Sequence, residues 1–385
     1  MKTEQRQWTG SWQTTRDTGI GDQANLVFAF GGRDALSDAA RFNEIKAMYP
    51  NANILLGTTS GEILDTEVSD DTISLTAVHF EKTKIRSASV TIPDMSESFA
   101  IGEKLAKELM TDDLVHIFVL SDGLKVNGSE LVKGFSKALP DHINVTGGLA
   151  GDAARFQKTL VGINNAPSEG IIAAIGIYGK DIKIGHGSRG GWDPFGPNRI
   201  VTKSKANVLF ELDGQSALAL YKNYLGDQAV GLPGTGLLFP LSIKNKEDDA
   251  PIVRTLLAID ENAQSMTFAG DIPEGSVVQL MKANFDRLID GALSAAEHTK
   301  GQVAAGTADL AILVSCVGRK LVLAQRIEEE VEGVREVLGD KATIAGFYSY
   351  GEISPLVAAN DRPLDAATNC ELHNQTMTIT TFAEN

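Results

Sequence analysis

Three short turns read Gly57-Thr-Thr-Ser-Gly-Glu62, Gly147-Gly-Leu-Ala-Gly-Asp152 and Gly346-Phe-Tyr-Ser-Tyr-Gly-Glu352. Each gives a glycine, two residues, Ser or Ala, then glycine and a carboxylate, with one residue inserted in the third copy. Each follows an apolar run: Ile54-Leu55-Leu56, Ile143 to Thr146, and Thr343-Ile344-Ala345. A second apolar run and a helical pattern precede each. Strand, helix, strand and glycine turn therefore recur as a unit.

In the first unit, Leu26 to Phe30 is short and apolar enough for a buried strand, and Gly31-Gly32-Arg33 ends it. Ser37 or Asp38 can cap a helix carrying Phe42, Ile45 and Met48 at helical spacing, and Pro50 stops it. The second unit runs from Leu114 to Leu120 through Ser121-Asp122-Gly123 to a helix capped by Ser129. The third has the strand from Leu310, then Cys316-Val-Gly-Arg319 and an acidic helix with Val331, Val334 and Leu338. Units one and three match best, because both pair a Gly-Arg loop with a Gly-Glu turn. Between units the pattern changes to alternating runs such as Ile73 to Phe80 and Lys84 to Val90, which suit antiparallel strands. The expectation is an α+β fold with mixed sheets, built from repeated strand–helix–strand units and antiparallel hairpins. Two related halves would face each other, with a site in the cleft between them. Residues 1–24 read as a polar arm pinned by Trp8 and Trp12, followed by domains over 25–226 and 227–385.

With 385 residues, 43% of them hydrophobic, the chain can bury a large core. Its net charge of -15 repels phosphates, which argues against nucleic acid and an anionic membrane surface as partners. The two cysteines, Cys316 and Cys370, form no CxxC and suit a reducing compartment. No leader-like apolar segment or membrane-length run is visible, so a cytoplasmic, free-standing protein is expected.

Glycine turns let a ligand approach the backbone, and their N–H groups can cradle an anion. Glu62, Asp152 and Glu352 could accept from an ammonium group, while Arg33 and Arg319 could grip a carboxylate. With Gly61, Gly151 and Gly351 these make a candidate site for an amino acid or similar metabolite. The plainer alternative is that the glycines shape turns and the acids pair with the arginines. The loop Gly185 to Gly196 puts Trp192 either on a pocket wall or in the core as a plug. His79 and His116 sit in apolar strands and read as core residues. His186 and His373 have polar or glycine-rich neighbours and are the candidate ligand histidines. No pair of histidines has zinc-site spacing, and no metal site is expected. A phosphate loop, a Gly-x-Ser-x-Gly elbow and an HExxH motif are all missing, so no catalytic residue is assigned. An enzyme acting on a small polar substrate, with Glu62 or Glu352 as general base, is the alternative.

Gly147 to Asp152, Gly191-Trp-Asp-Pro-Phe-Gly196, Glu211-Leu-Asp-Gly214, Cys316 to Arg319, Gly346 to Ile353 and His373-Asn374 resemble the FIST sensory proteins, in the family's order and over nearly the whole chain. The resemblance implies a non-enzymatic ligand-binding protein of signal transduction, with an N-terminal and a C-terminal FIST region. It also admits the stand-alone branch that binds haem, senses nitric oxide and partners a histidine kinase. Haem would then fall to His186 or His373. The stretch Asn245 to Ala250 and the helix from Glu328 to Val337 are candidate partner surfaces.

Overall fold

The computed structural model describes residues 1–244, 251–303, 307–356 and 370–385. Twelve strands carry the repeat. Unit one holds β1 (Leu26–Gly31), β2 (Asn53–Thr58), β3 (Glu62–Leu64) and β4 (Ile73–His79). Unit two holds β5 (Leu114–Ser121), β6 (Asn144–Leu149), β7 (Val161–Ile163) and β8 (Ile171–Tyr178). Unit three holds β9 (Leu310–Cys316), β10 (Thr343–Ser349), β11 (Gly351–Pro355) and β12 (Met377–Glu384). In each unit the first two strands pair in parallel across a helix, and the fourth pairs antiparallel with the first.

The third strand of each unit leaves its own sheet. β3 pairs with β10 of unit three, β7 with β2 of unit one, and β11 with β6 of unit two. The exchange closes a cycle of three. The expected α+β architecture with mixed sheets is present, but its symmetry is three units around one axis rather than two facing halves.

Strand alternation explains the long apolar runs. Leu26, Phe28 and Phe30 of β1, Phe118 and Leu120 of β5, and Leu310, Ile312 and Val314 of β9 point into one shared core. There Phe28 meets Phe118 with ring centroids 5.3 Å apart, and Phe30 meets Phe347 at 4.5 Å. The alternate residues face outer helices: Val27 and Ala29 with Ile45, Ile117 and Val119 with Phe135, Ala311 and Leu313 with Val331. Both faces are buried, so neither face is polar. Each buried ring contributes about 1.5–3 kcal/mol.

Residues 1–24 are more than an arm. Lys2–Trp8 and Trp12–Arg16 extend the first sheet beyond β4, and Thr3, Glu4 and Gln5 are buried there. Polar residues fill these places because their side chains find partners, such as Gln5 Nε2 donating to Ile344 O at 2.9 Å. The tryptophans do pin the segment: Trp8 lies under Arg41, and Trp12 Nε1 donates to Glu44 at 2.7 Å. The helix Gly128–Ala138 is capped by Asn127, not Ser129.

A second, smaller body is inserted between units two and three. Strands from Asp193–Lys205 to Val277–Lys282 form an eight-stranded sheet against the helix Ala217–Leu225, with their own core around Leu209, Tyr221 and Phe268. Because Asp193–Lys205 pairs with Val277–Lys282, a boundary at residue 226 divides this sheet in sequence but not in space.

Candidate functional site

The three turns meet at the axis. Ser60 N donates to Tyr348 O (2.8 Å), Gly151 N to Thr58 O (2.8 Å) and Tyr350 N to Leu149 O (3.2 Å). The ring of bonds fixes which residues correspond: Ser60, Gly151 and Tyr350 share one place. One residue further in, Gly32, Asp122 and Cys316 donate to Thr72, Ile171 and Thr376 respectively. Cys316 therefore answers to Gly32, and Arg319 does not correspond to Arg33.

Glu62 and Glu352 do correspond, and each lies buried behind its turn. Thr59 Oγ1 donates to Glu62, as do Thr72 N (2.9 Å) and Thr72 Oγ1 (2.8 Å). Ser349 Oγ (2.7 Å), Thr376 N (3.2 Å) and Thr376 Oγ1 (3.0 Å) donate to Glu352. Burial pushes the two carboxyls up to about 7 and about 8, against the pull of these hydroxyls. Asp152 has another place and other partners: Arg33 at 3.0 Å, Arg155 at 2.8 Å and two backbone N–H groups.

The arginines separate likewise. Arg319 is fully buried, donates Nε (3.0 Å) and Nη2 (2.7 Å) to Glu330 and Nη2 to Leu288 O (2.7 Å), and also reaches Gly190 O. It pins the acidic helix Ile327–Leu338 to the core and offers a ligand nothing. Lys320 instead covers the first turn, donating to Ser60 O at 2.9 Å and pairing with Asp70. A side chain on Gly61 would collide with it, and Gly61 has φ +140°. Trp192 is a core plug whose Nε1 donates to Gln375 O at 2.8 Å.

An apolar cleft lies elsewhere, between the three-unit core and the inserted sheet. A lobe of about 430 Å³ has Leu124, Phe156, Val317 and Tyr350 on one wall and Leu237, Thr255, Leu256 and Leu257 on the other. Among the described residues no charged side chain lines it. A second lobe of about 190 Å³ shares Leu124, Phe156, Leu257, Ala269 and Tyr350, and adds Met95, Asn127, Asn207 and Asp271. Phe156 and Tyr350 stack at the junction, 4.4 Å between centroids and 13° from parallel. Tyr350 Oη accepts from Phe156 N and donates to Ala153 O, both at 3.1 Å. Phe156 holds φ +52°, rare for a bulky residue. None of the nine residues read from sequence as ligand-binding lines either lobe. Tyr350, next to Gly351, is one of three large residues inside the third turn.

Residues 25–215 match the model of the FIST N domain, and residues 217–355 that of the FIST C domain. The chain belongs to the FIST family. FIST domains are sensory, ligand-binding domains of signal transduction. No curated protein matches the sequence. Among solved structures, the crystal structure of a cyanuric acid hydrolase from A. caulinodans is similar, with 8% identity and a TM-score of 0.36 over 96% of this chain and 92% of that one. The FIST N and FIST C segments meet inside the inserted sheet, so both line the cleft: Leu124 and Phe156 come from FIST N, Leu257, Val317 and Tyr350 from FIST C.

The two histidines read from the sequence as haem ligands lie away from the cleft of this FIST protein. His373 is buried with Nε2 3.0 Å from Ser354 O, and His186 packs 3.3 Å from Asn144 and beside His298. Burial drives both rings down to about 4, and neither lines either lobe. Among the described residues no cluster of three or more His, Cys, Asp or Glu could hold a metal. Nor do Glu62 and Glu352 fit a general base, since they are 2% and 0% exposed and their oxygens are already bonded. Asn245 to Ala250 lies outside the described residues. No helix among the described residues is long and apolar enough to cross a membrane.

Proposed function

We propose that this FIST protein is a sensor whose ligand binds in the two-lobed cleft, and that a partner protein reads its occupancy. The observation that carries this is the clustering of exposed apolar side chains: Met95 (46% exposed), Phe156 (42%) and Leu257 (43%) all border the cleft. Apolar surface of this size left open around a concavity is the usual mark of a ligand site. The strained backbone of Phe156, held by the Tyr350 hydroxyl, supports the same place. An uncharged main lobe favours a small, largely apolar molecule over a zwitterion. Because the walls come from two bodies, a ligand touching both binds one arrangement of them better and shifts the population. The family resemblance makes a histidine kinase the partner class to try first.

Native mass spectrometry of the purified full chain tests the reading. A bound molecule of roughly drug-fragment size is expected on the wild type and absent from Leu257→Arg, which places a charge in the apolar wall. A bound molecule retained by Leu257→Arg would overturn it.

A further inference from the structure

Asp271 is the one charged side chain bordering either lobe among the described residues. It lines the smaller lobe and not the larger, within 3.4 Å of Asn127 Nδ2 and 3.2 Å of Lys133 Nζ. Lys133 is shared, since it also holds Glu130 at 2.6 Å. Arg254 gives its Nε to the Asp271 backbone carbonyl, not to the carboxylate, and spends Nη1 on the carbonyls of Val253 and Leu372. Glu371 also faces Arg254, Lys133 and Asp271. Among the described residues three carboxylates thus stand against two cations, an excess of negative charge at this end of the cleft. A carboxylate has about four lone-pair directions, and Asp271 uses few of them. The overall charge of -15 adds a field that draws cations in.

The other end differs. Among the described residues the larger lobe has no charged lining, and Phe156 offers it a partly exposed ring. A molecule long enough to use both lobes passes the Phe156–Tyr350 stack, whose faces attract both rings and cations. We propose that the ligand is a small ring-bearing amine, its ring in the larger lobe against Phe156 and its ammonium in the smaller lobe on Asp271. This rests on the cleft being the ligand site.

Calorimetric titration of the full chain with tryptamine and with indole-3-propionate tests it. The two probes share a ring and a similar reach but carry opposite charges. Tryptamine is expected to bind at least about tenfold tighter, the scale of a charge-assisted hydrogen bond. Asp271→Asn should shrink the gap to about threefold or less, and Lys133→Ala, which frees Asp271, should strengthen tryptamine. Equal or tighter binding of the propionate, or a gap that survives Asp271→Asn, overturns the amine and leaves the cleft standing. Should Asp271→Asn melt early, Lys133→Ala decides: unchanged or weaker tryptamine binding overturns the proposal. If neither probe binds the wild type, the amine proposal falls, while the cleft itself stands or falls by native mass spectrometry of Leu257→Arg.

Discussion

Ser60 and Tyr350 hold the same place in two turns of one cycle, yet their surroundings are opposite. Ser60 lies under Lys320, its carbonyl bonded and its hydroxyl spent on Ala153 O. Tyr350 carries a ring into the cleft and stacks on an exposed phenylalanine. The axis is closed at the first turn and opens at the third, where the inserted sheet stands opposite. What repeats in this protein is therefore architecture. Chemistry is expected where the repeat is broken, because a repeated turn satisfies its own polar groups and leaves none for a ligand.

Arg319→Ala breaks the closed side hardest. It strands the Glu330 carboxylate in the core and should cost about 3–5 kcal/mol in urea unfolding. Arg33→Ala, despite its similar sequence setting, should cost about 1 kcal/mol or less, because Asp152 keeps Arg155 and two N–H groups. Comparable losses for the two would erase the distinction between a buried structural arginine and a surface one.

On the open side, Tyr350→Ala should cost about 2–4 kcal/mol and abolish ligand binding, whereas Tyr350→Phe loses about 1 kcal/mol and keeps the stack. Binding that survives the alanine would detach the cleft from the third turn.

The buried carboxyls give a pH test. Glu62 and Glu352 hold protons in the folded chain up to about 7 and about 8, but lose them near 4.5 when unfolded. The folded state then binds more protons, so their contribution is fully present below pH 4.5 and is lost as pH rises through those values. Depressed histidines such as His116 and His373 work the other way below about pH 6.5. Between pH 6.5 and 8 stability should fall as pH rises, and Glu352→Gln should flatten that fall. A wild-type stability that rises with pH across this window would contradict the burial argument.

Smallest of all, Leu257→Ala should move stability by about 0.5 kcal/mol or less, since its side chain is already half in water, while weakening the ligand severalfold. A large stability loss without a binding effect would make Leu257 a packing residue.

Much of the fold was legible in the sequence. The core strands are apolar throughout because both faces are buried, and glycine turns follow them at regular spacing. The cyclic symmetry was not legible, because it rests on β3, β7 and β11, segments of three to five residues that pair with strands far away in sequence. The Gly-Arg strings of units one and three looked equivalent as letters, but the hydrogen bonds of Gly32 and Cys316 shift the register by two residues. His373 has polar sequence neighbours, Asn374 and Gln375, yet all three are buried among strand ends. The cleft escaped for a related reason: its walls come from positions 124, 156, 257, 317 and 350, and no local pattern tells an exposed phenylalanine from a buried one.

The central claim is that ligand binds in the cleft and not at the glycine turns. A crystal structure of the full chain with its co-purified ligand, or with tryptamine, tests this most directly. Ligand density is expected between Phe156 and Leu257 with the polar end toward Asp271; density at Glu62, Glu352 or His373, with an empty cleft, would contradict the account.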